Sequence, residues 1–140
     1  MKIYYIMSIV FVAIVASVLL VWVNKEPQVP APVAIVKSYY SDLINGNLVS
    51  ATKNVIYQGV PKQSLVYLYV KLTKKEKILN FNVISYGLVN SKTSIVNVNV
   101  NMLQNGKLKE VKPTLLLIRN NSGNWFVLFQ QPPAIVYSPK

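Results

Sequence analysis

The sequence predicts an α+β domain carried behind an N-terminal membrane-spanning helix. Three observations lead there. Residues 3–23 form an unbroken uncharged apolar run. Between residues 33 and 72, apolar side chains recur at helical spacing. From Ile78 onward the period changes to two, as on a half-buried strand.

The first run, IYYIMSIVFVAIVASVLLVWV, contains neither charge nor proline. At about 1.5 Å per residue it reaches roughly 30 Å, one hydrocarbon thickness. Tyr4 and Tyr5 stand near one end and Trp22 near the other, where interfacial aromatics belong. A cleaved signal peptide is the competing reading, but its apolar core would be shorter and a small-x-small site would follow. Here NKEPQVPAPVA follows, with prolines crowding the alanines, and no lipobox cysteine exists. An uncleaved anchor is therefore expected. Only Met1 and Lys2 precede it, which favours the N-terminus inside and the rest outside. Residues 24–32, NKEPQVPAP, hold three prolines and read as a stiff, extended stalk.

The first soluble helix carries Val33, Val36, Tyr40 and Leu43 on one face, with Ile35, Tyr39 and Ile44 beside them. Pro32 suits its first turn and Gly46 its stop. A short second helix is expected to align Leu48, Ala51 and Val55. A third starts near Pro61, with Leu65, Leu68 and Leu72 on one face. Val66, Tyr67, Tyr69 and Val70 leave a strand open as an alternative there.

Residues 78–89 form one strand, and Asn90–Lys92 turn the chain. The next stretch, TSIVNVNVNMLQNGKLKEV, alternates valine with asparagine up to Asn105-Gly106. That dipeptide is the strongest short hairpin signal, because both residues accept positive φ in a type I′ turn. It sets Gln104 opposite Lys107. Val100 then meets Val111, Val98 meets Pro113, and Val96 meets Leu115. On the other face Asn101 meets Glu110, Asn99 meets Lys112, and Asn97 meets Thr114. Apolar meets apolar and polar meets polar, which a one-residue slip would scramble. The valine face covers a core and the asparagine face meets water or a polar partner. Pro113 lacks an N–H and marks an edge or a bulge.

Residues 114–118 (TLLLI) and 125–129 (WFVLF) are apolar on both faces, linked by the turn RNNSGN. Ile95 pairs with Leu116 on the outer face, so one end of the sheet is apolar outside as well as inside. A flap from the tail 133–137 or a second subunit is expected to cover it.

Composition narrows the chemistry. The chain has 140 residues, no cysteine and no histidine. Thiolate chemistry is excluded, as is the commonest general base and metal ligand. Its four carboxylates, Glu26, Asp42, Glu76 and Glu110, are scattered. No Gly-rich phosphate loop, metal motif or nucleophile elbow is present. Fifteen basic residues against four acidic ones give +11. This favours anionic partners such as lipid head groups, wall polymers or nucleic acid, or serves solubility alone. Charged residues are only 14% of the chain. Amides and hydroxyls supply the rest of the polarity, as suits an exterior face at low pH or follows from A/T-rich coding.

KLTKKEK, residues 71–77, gathers Lys71, Lys74, Lys75 and Lys77 around Glu76. If the third helix continues, Lys71, Lys74 and Lys75 share a face and suit a phosphate-rich surface. A solvated helix end, its lysines complementing the dipole, is the plainer reading. No aromatic stacking platform accompanies them, which argues against nucleic acid. Tyr39, Tyr40, Tyr57, Tyr67, Tyr69 and Tyr86 line a cavity or, more commonly, fill core and rim. Asn120 heads the sequon NNS on a turn.

The succession APVAIVKSYYSDLINGNLVSA, a helix, a strand, then TSIVNVNVNMLQNGKLKEVKPTLLLIRNNSGNWFVL resembles the nuclear-transport-factor-2-like, cystatin-like fold. It resembles in particular the small membrane-anchored or lipoprotein domains of prokaryotes that carry this fold. The marks are a helix ending near NGN, a Gly-turned long hairpin, and Gly123-Asn124-Trp125 opening the last strand. The resemblance covers about residues 32 to 130. It implies a curved antiparallel sheet wrapping the helices into a cone with a pocket at the open end. Enzymes of that fold place Asp, His or Tyr dyads there. With no histidine and only Asp42 on a helix, the resemblance points to the non-catalytic members. It extends to bitopic subunits of type IV secretion and conjugation machines.

The expectation is thus an anchor (1–23), a stalk (24–32), a cone domain (33–131) and a Pro-rich tail (132–140). The protein is expected to be a non-enzymatic, single-span membrane protein displaying a binding or assembly domain outside the cytoplasm. The alternatives are a secretion-apparatus subunit and a small-ligand carrier. No catalytic, cofactor or metal residues are expected. The candidate sites are Lys71, Lys74, Lys75 and Lys77 for anions, Ile95, Leu116 and Ile118 for assembly, and Asn120 for glycosylation. Expected partners are the membrane, a protein or second copy through the sheet, and anionic polymers or lipids.

Overall fold

A proline opens the first helix. The computed structural model describes residues 28–57 and 59–129, and α1 spans Ala31–Ile44 within it. Pro32 sits in the first turn, where its missing N–H is not needed. The anchor run, residues 24–27 of the stalk and the proposed tail flap lie outside the described residues. Among the described residues no helix is long and apolar enough to cross a membrane.

Val33, Val36, Tyr39, Tyr40 and Leu43 are the buried apolar stripe of α1. The helix stops in a Schellman arrangement. Asn47 N–H donates to Asp42 O at 2.8 Å, and Gly46, at φ +74°, donates to Leu43 O at 3.2 Å. Positive φ is what the glycine supplies there.

α2 is shorter than its apolar spacing suggests. It runs Leu48–Lys53 and does not include Val55. Val55 instead opens β1, Val55–Tyr57, which pairs parallel with β6, Trp125–Phe129. The sheet is therefore mixed, not purely antiparallel. Two β-branched residues and a tyrosine gain ladder bonds beside β6 that a helix end cannot offer. Val127 N–H also donates to Asn54 O at 2.8 Å.

α3 spans Lys62–Thr73, with Pro61 as its N-cap. The segment is helical, which resolves the open choice at Val66–Val70. Its buried residues are Leu65 and Tyr69, with Leu68 and Leu72 only half covered. The i, i+4 pair faces the core because Tyr69 reaches Tyr39 and Phe129.

The sheet is built on β2 (Glu76–Asn90) and β3 (Thr93–Gln104), with β4 (Lys107–Val111) and β5 (Thr114–Arg119) along the other side of β3. The spatial order is β1-β6-β5-β3-β2, with β4 beyond the end of β5. Asn105 and Gly106 both have positive φ, 51° and 77°, as the type I′ tip requires. The observed register pairs Gln104 with Lys107, Val100 with Val111, Val96 with Leu115, Asn97 with Thr114 and Ile95 with Leu116. The ladder is interrupted at Lys112 and Pro113 yet resumes in the same register. Pro113 still accepts from Val98 N–H at 3.0 Å.

Irregularities in β2 at Ile78/Asn80, Val83/Ser85 and Leu88/Asn90 bend the long strand pair. The resulting curved sheet presents Val96, Val98, Val100, Met102, Leu115, Leu117, Trp125, Val127 and Phe129 to the helices, all buried. Its outer face carries the asparagines, and Asn97, Asn101 and Asn80 join in cross-strand bonds, whereas Asn99 Oδ1 has no partner among the described residues. Asn101 Nδ2 donates to Asn80 Oδ1 at 2.8 Å, Asn97 Nδ2 to Ser85 Oγ at 2.9 Å, and Thr114 Oγ1 to Asn97 Oδ1 at 2.7 Å. These mutual bonds offset the poor strand propensity of asparagine.

Candidate functional site

Two turns meet at one end of the sheet. Asn105 N–H, at the β3–β4 tip, donates to Lys75 O, in the α3–β2 turn, at 3.1 Å. Glu76 pairs with Gln104, and Gln104 pairs with Lys107. At about 4.8 Å per strand, these backbones lie within roughly 10 Å of one another. The meeting collects Lys71, Lys74, Lys75, Lys77, Lys107 and Lys109 at that end. All but Lys109 are exposed.

The four sequence-predicted lysines are thus brought together, though not as a helix face. α3 ends at Thr73, whose Oγ1 donates back to Tyr69 O at 3.0 Å. Lys74 is the C-cap, Lys75 lies in the turn, and Lys77 is on β2. Pairing of Glu76 with Gln104 draws the chain into the sheet before another helical turn forms. Lys71 alone stays on the helix, 5.2 Å from the ring centre of Tyr67. Lys107 and Lys109 escape a linear reading because they lie some thirty residues downstream. The Asn-Gly signal was the clue, since it folds them back onto the same end.

A groove of about 310 Å³ opens at this end. Leu43, Ile44, Gly46 and Leu48 line it from the helices, Thr73 from the end of α3, and Glu76, Lys77 and Ile78 from β2. Glu76 is the acid on its wall. Gln104 Nε2 donates to Glu76 Oε1 at 2.7 Å, and Lys109 Nζ donates to Gln104 Oε1 at 3.1 Å. This relay ties the carboxylate to a cation through an amide on the helix-facing side of the sheet.

The space between helices and sheet is filled by aromatic rings. Tyr39 packs edge-on against Tyr40 and Tyr69, and Tyr40 stacks on Phe81 at 5.1 Å. Burial pushes the Tyr39, Tyr40 and Tyr69 hydroxyls well above the ordinary tyrosine range. For Tyr39 the neighbouring Tyr69 adds to that shift. They stay neutral hydrogen-bonding groups. Of the six tyrosines singled out, these three are core; Tyr57 is half-buried, and Tyr67 and Tyr86 are exposed.

Ile95, Leu116 and Ile118 share the outer face at the opposite end, each half-buried. Phe126 faces Ile118 across β5–β6 and extends the strip. Asn120 sits on the exposed β5–β6 turn. Its Oδ1 accepts from Asn124 N–H at 2.9 Å, so the side chain helps shape the turn. Among the described residues no three acidic side chains gather.

No family model matches this chain, and no curated protein does. Solved structures do. A ketosteroid isomerase-like protein from Erwinia carotovora atroseptica superposes with a TM-score of 0.57 at 11% identity, over 73% of this chain and 92% of that one. An NTF-2-like protein of unknown function from Shewanella oneidensis gives 0.53 at 12% identity, over 69% and 91%. A cystatin-like domain of unknown function from Nostoc punctiforme gives 0.52 at 12% identity, over 72% and 77%. The chain has the nuclear-transport-factor-2-like, cystatin-like fold. Identities this low carry the fold and nothing about activity.

Proposed function

We propose that the chain is a single-span membrane protein that displays a non-enzymatic binding domain outside the cytoplasm and engages an anionic partner through its lysine-rich end. One observation carries this reading. Six lysines from α3, the α3–β2 turn, β2 and the β3–β4 hairpin converge at the end of the domain remote from the stalk. α1 begins at the stalk, and its last turn, at Leu43 and Ile44, lines the groove beside the lysines. Fourteen helical residues, about 21 Å, separate the tether from that end. With residues 3–23 as the anchor, this reading has the cations point away from the anchoring bilayer, toward surface polymers or another lipid surface.

The test is binding of a soluble polyanion, inorganic polyphosphate, to the full chain held in nanodiscs. Salt-sensitive binding is expected, weakened at least tenfold by Lys74→Glu combined with Lys107→Glu. Binding that is absent at low salt, or unchanged in the variant, refutes the reading.

The half-buried strip of Ile95, Leu116 and Ile118 favours a second reading, a subunit that assembles with a secretion or conjugation apparatus through its sheet. The groove favours a small-ligand carrier. At the roughly 30 Å³ that a water occupies in the liquid, it holds a body of about ten non-hydrogen atoms. Co-purifying channel subunits support the second reading, and a bound metabolite the third.

A further inference from the structure

The helices do not cover the whole sheet. Tyr40 stacks on Phe81, which lies opposite Val100. From Tyr40 back to Ala31 is about 14 Å along α1, whereas from Val100 back to Thr93 is about 24 Å along β3. The far end of the edge strand β2, beside the fully buried Ser94 of β3, is therefore left bare on the side where the stalk enters. Its side chains show it. Tyr86 and Leu88 occupy helix-facing positions opposite Val96 and Ser94, yet are 50% and 64% exposed. Val89, at the last irregularity, is 59% exposed.

Among the described residues of the β2–β3 and β5–β6 turns the charges are all of one sign. Arg119 N–H donates to Lys92 O at 2.8 Å, so the exposed cation of the β2–β3 turn and the exposed cation at the end of β5 lie beside the apolar tip. Neither residues 86–92 nor residues 119–125 contain a carboxylate. Ser91 and Asn90 complete the turn, with Asn90 Oδ1 accepting from Lys92 N–H at 2.8 Å.

We infer that this tip — Tyr86, Leu88 and Val89 flanked by Lys92 and Arg119 — docks into the interface of an anionic lipid bilayer. The inference rests on the reading that residues 3–23 anchor the chain. Apolar and tyrosyl side chains beside cations match an interface where acyl chains begin below anionic head groups. Seven residues, 24–30, separate the apolar run from α1, a length of chain that reaches at most about 22 Å if fully polyproline-like. The tether holds the tip within reach of the surface at high effective concentration. A second copy is the weaker occupant. A two-fold axis through this tip brings Lys92 and Arg119 against their own copies, like charge on like charge. Docking by the tip also leaves the lysine-rich end facing outward.

The chain contains no cysteine, so one introduced thiol takes one label. Leu88→Cys and, as a reference at the opposite end, Leu108→Cys (71% exposed) are labelled with an environment-sensitive fluorophore. The full chain is placed in nanodiscs containing spin-labelled lipid. The expected result is a blue shift and quenching at position 88 but not 108, in anionic and not zwitterionic discs, lost with Lys92→Glu plus Arg119→Glu. No quenching at 88, or quenching at 108 as well, overturns the proposal. So does a blue shift that grows with protein concentration and is insensitive to lipid quencher, which reports a second copy. If the chain fails to enter discs, it is the anchoring that is wrong. The labelled chain mixed with anionic vesicles then decides the tip by itself, quenching supporting it and none refuting it.

Discussion

The Tyr39 and Tyr69 hydroxyls meet 2.9 Å apart inside the domain, joining α1 to α3 across thirty residues of sequence. Each ring also lies about 6 Å from Phe129 on the last strand. The pair therefore joins two helices and a strand at a single point.

Removing one hydroxyl strands the other in a dry site. Tyr39→Phe or Tyr69→Phe is expected to destabilise the domain by about 1–3 kcal/mol. The double variant is expected to lose less than the sum, because no orphaned hydroxyl remains. Urea denaturation of the four species gives the coupling, and strict additivity would mean the bond contributes nothing.

Alkali should unfold the domain through the same residues. The folded hydroxyls hold their protons above the ordinary tyrosine pKa, whereas the unfolded ones release theirs near pH 10. The folded state thus binds more protons there, so stability falls as pH rises past about 10. Below that pH this contribution is complete and flat. Melting temperature measured from pH 8 to 11 should bend downward only at the alkaline end, and less so in the double phenylalanine variant.

Gly106 adopts φ +77° at the hairpin tip with open space around its Cα. Substitution there is a test of backbone strain without steric clash. Gly106→Ala is expected to cost about 1 kcal/mol and Gly106→Val more, since a β-branched residue resists positive φ. Equal stability of all three by thermal melting would mean the tip does not hold the register.

The outer strip gives a prediction about assembly. Ile95→Asp or Leu116→Asp places a charge on a half-buried outer position and leaves the buried valine face untouched. Either is expected to weaken self-association without unfolding the domain. Sedimentation of the wild-type domain as a monomer at high concentration would remove the basis for that expectation.

The alternation of valine and asparagine and the Asn-Gly dipeptide by themselves determine the β3–β4–β5 register and the sorting of its two faces. Side-chain period two and a two-residue turn leave a single consistent pairing. The limits of α1 were equally legible, because Pro32 and Gly46 act locally. Val55 was not: its place in a parallel strand depends on β6, seventy residues later, and tertiary pairing overrode the helical spacing. The end of α3 was missed for the same reason, since Glu76 leaves the helix only because Gln104 waits beside it. Lys71, Lys74, Lys75 and Lys77 were legible as a local cluster, but the addition of Lys107 and Lys109 to it and the uncovered hairpin tip belong to the tertiary structure. Local spacing says which face a residue takes, but only the packing of α1 against β2 says which end of the sheet lies bare and which end the cations share.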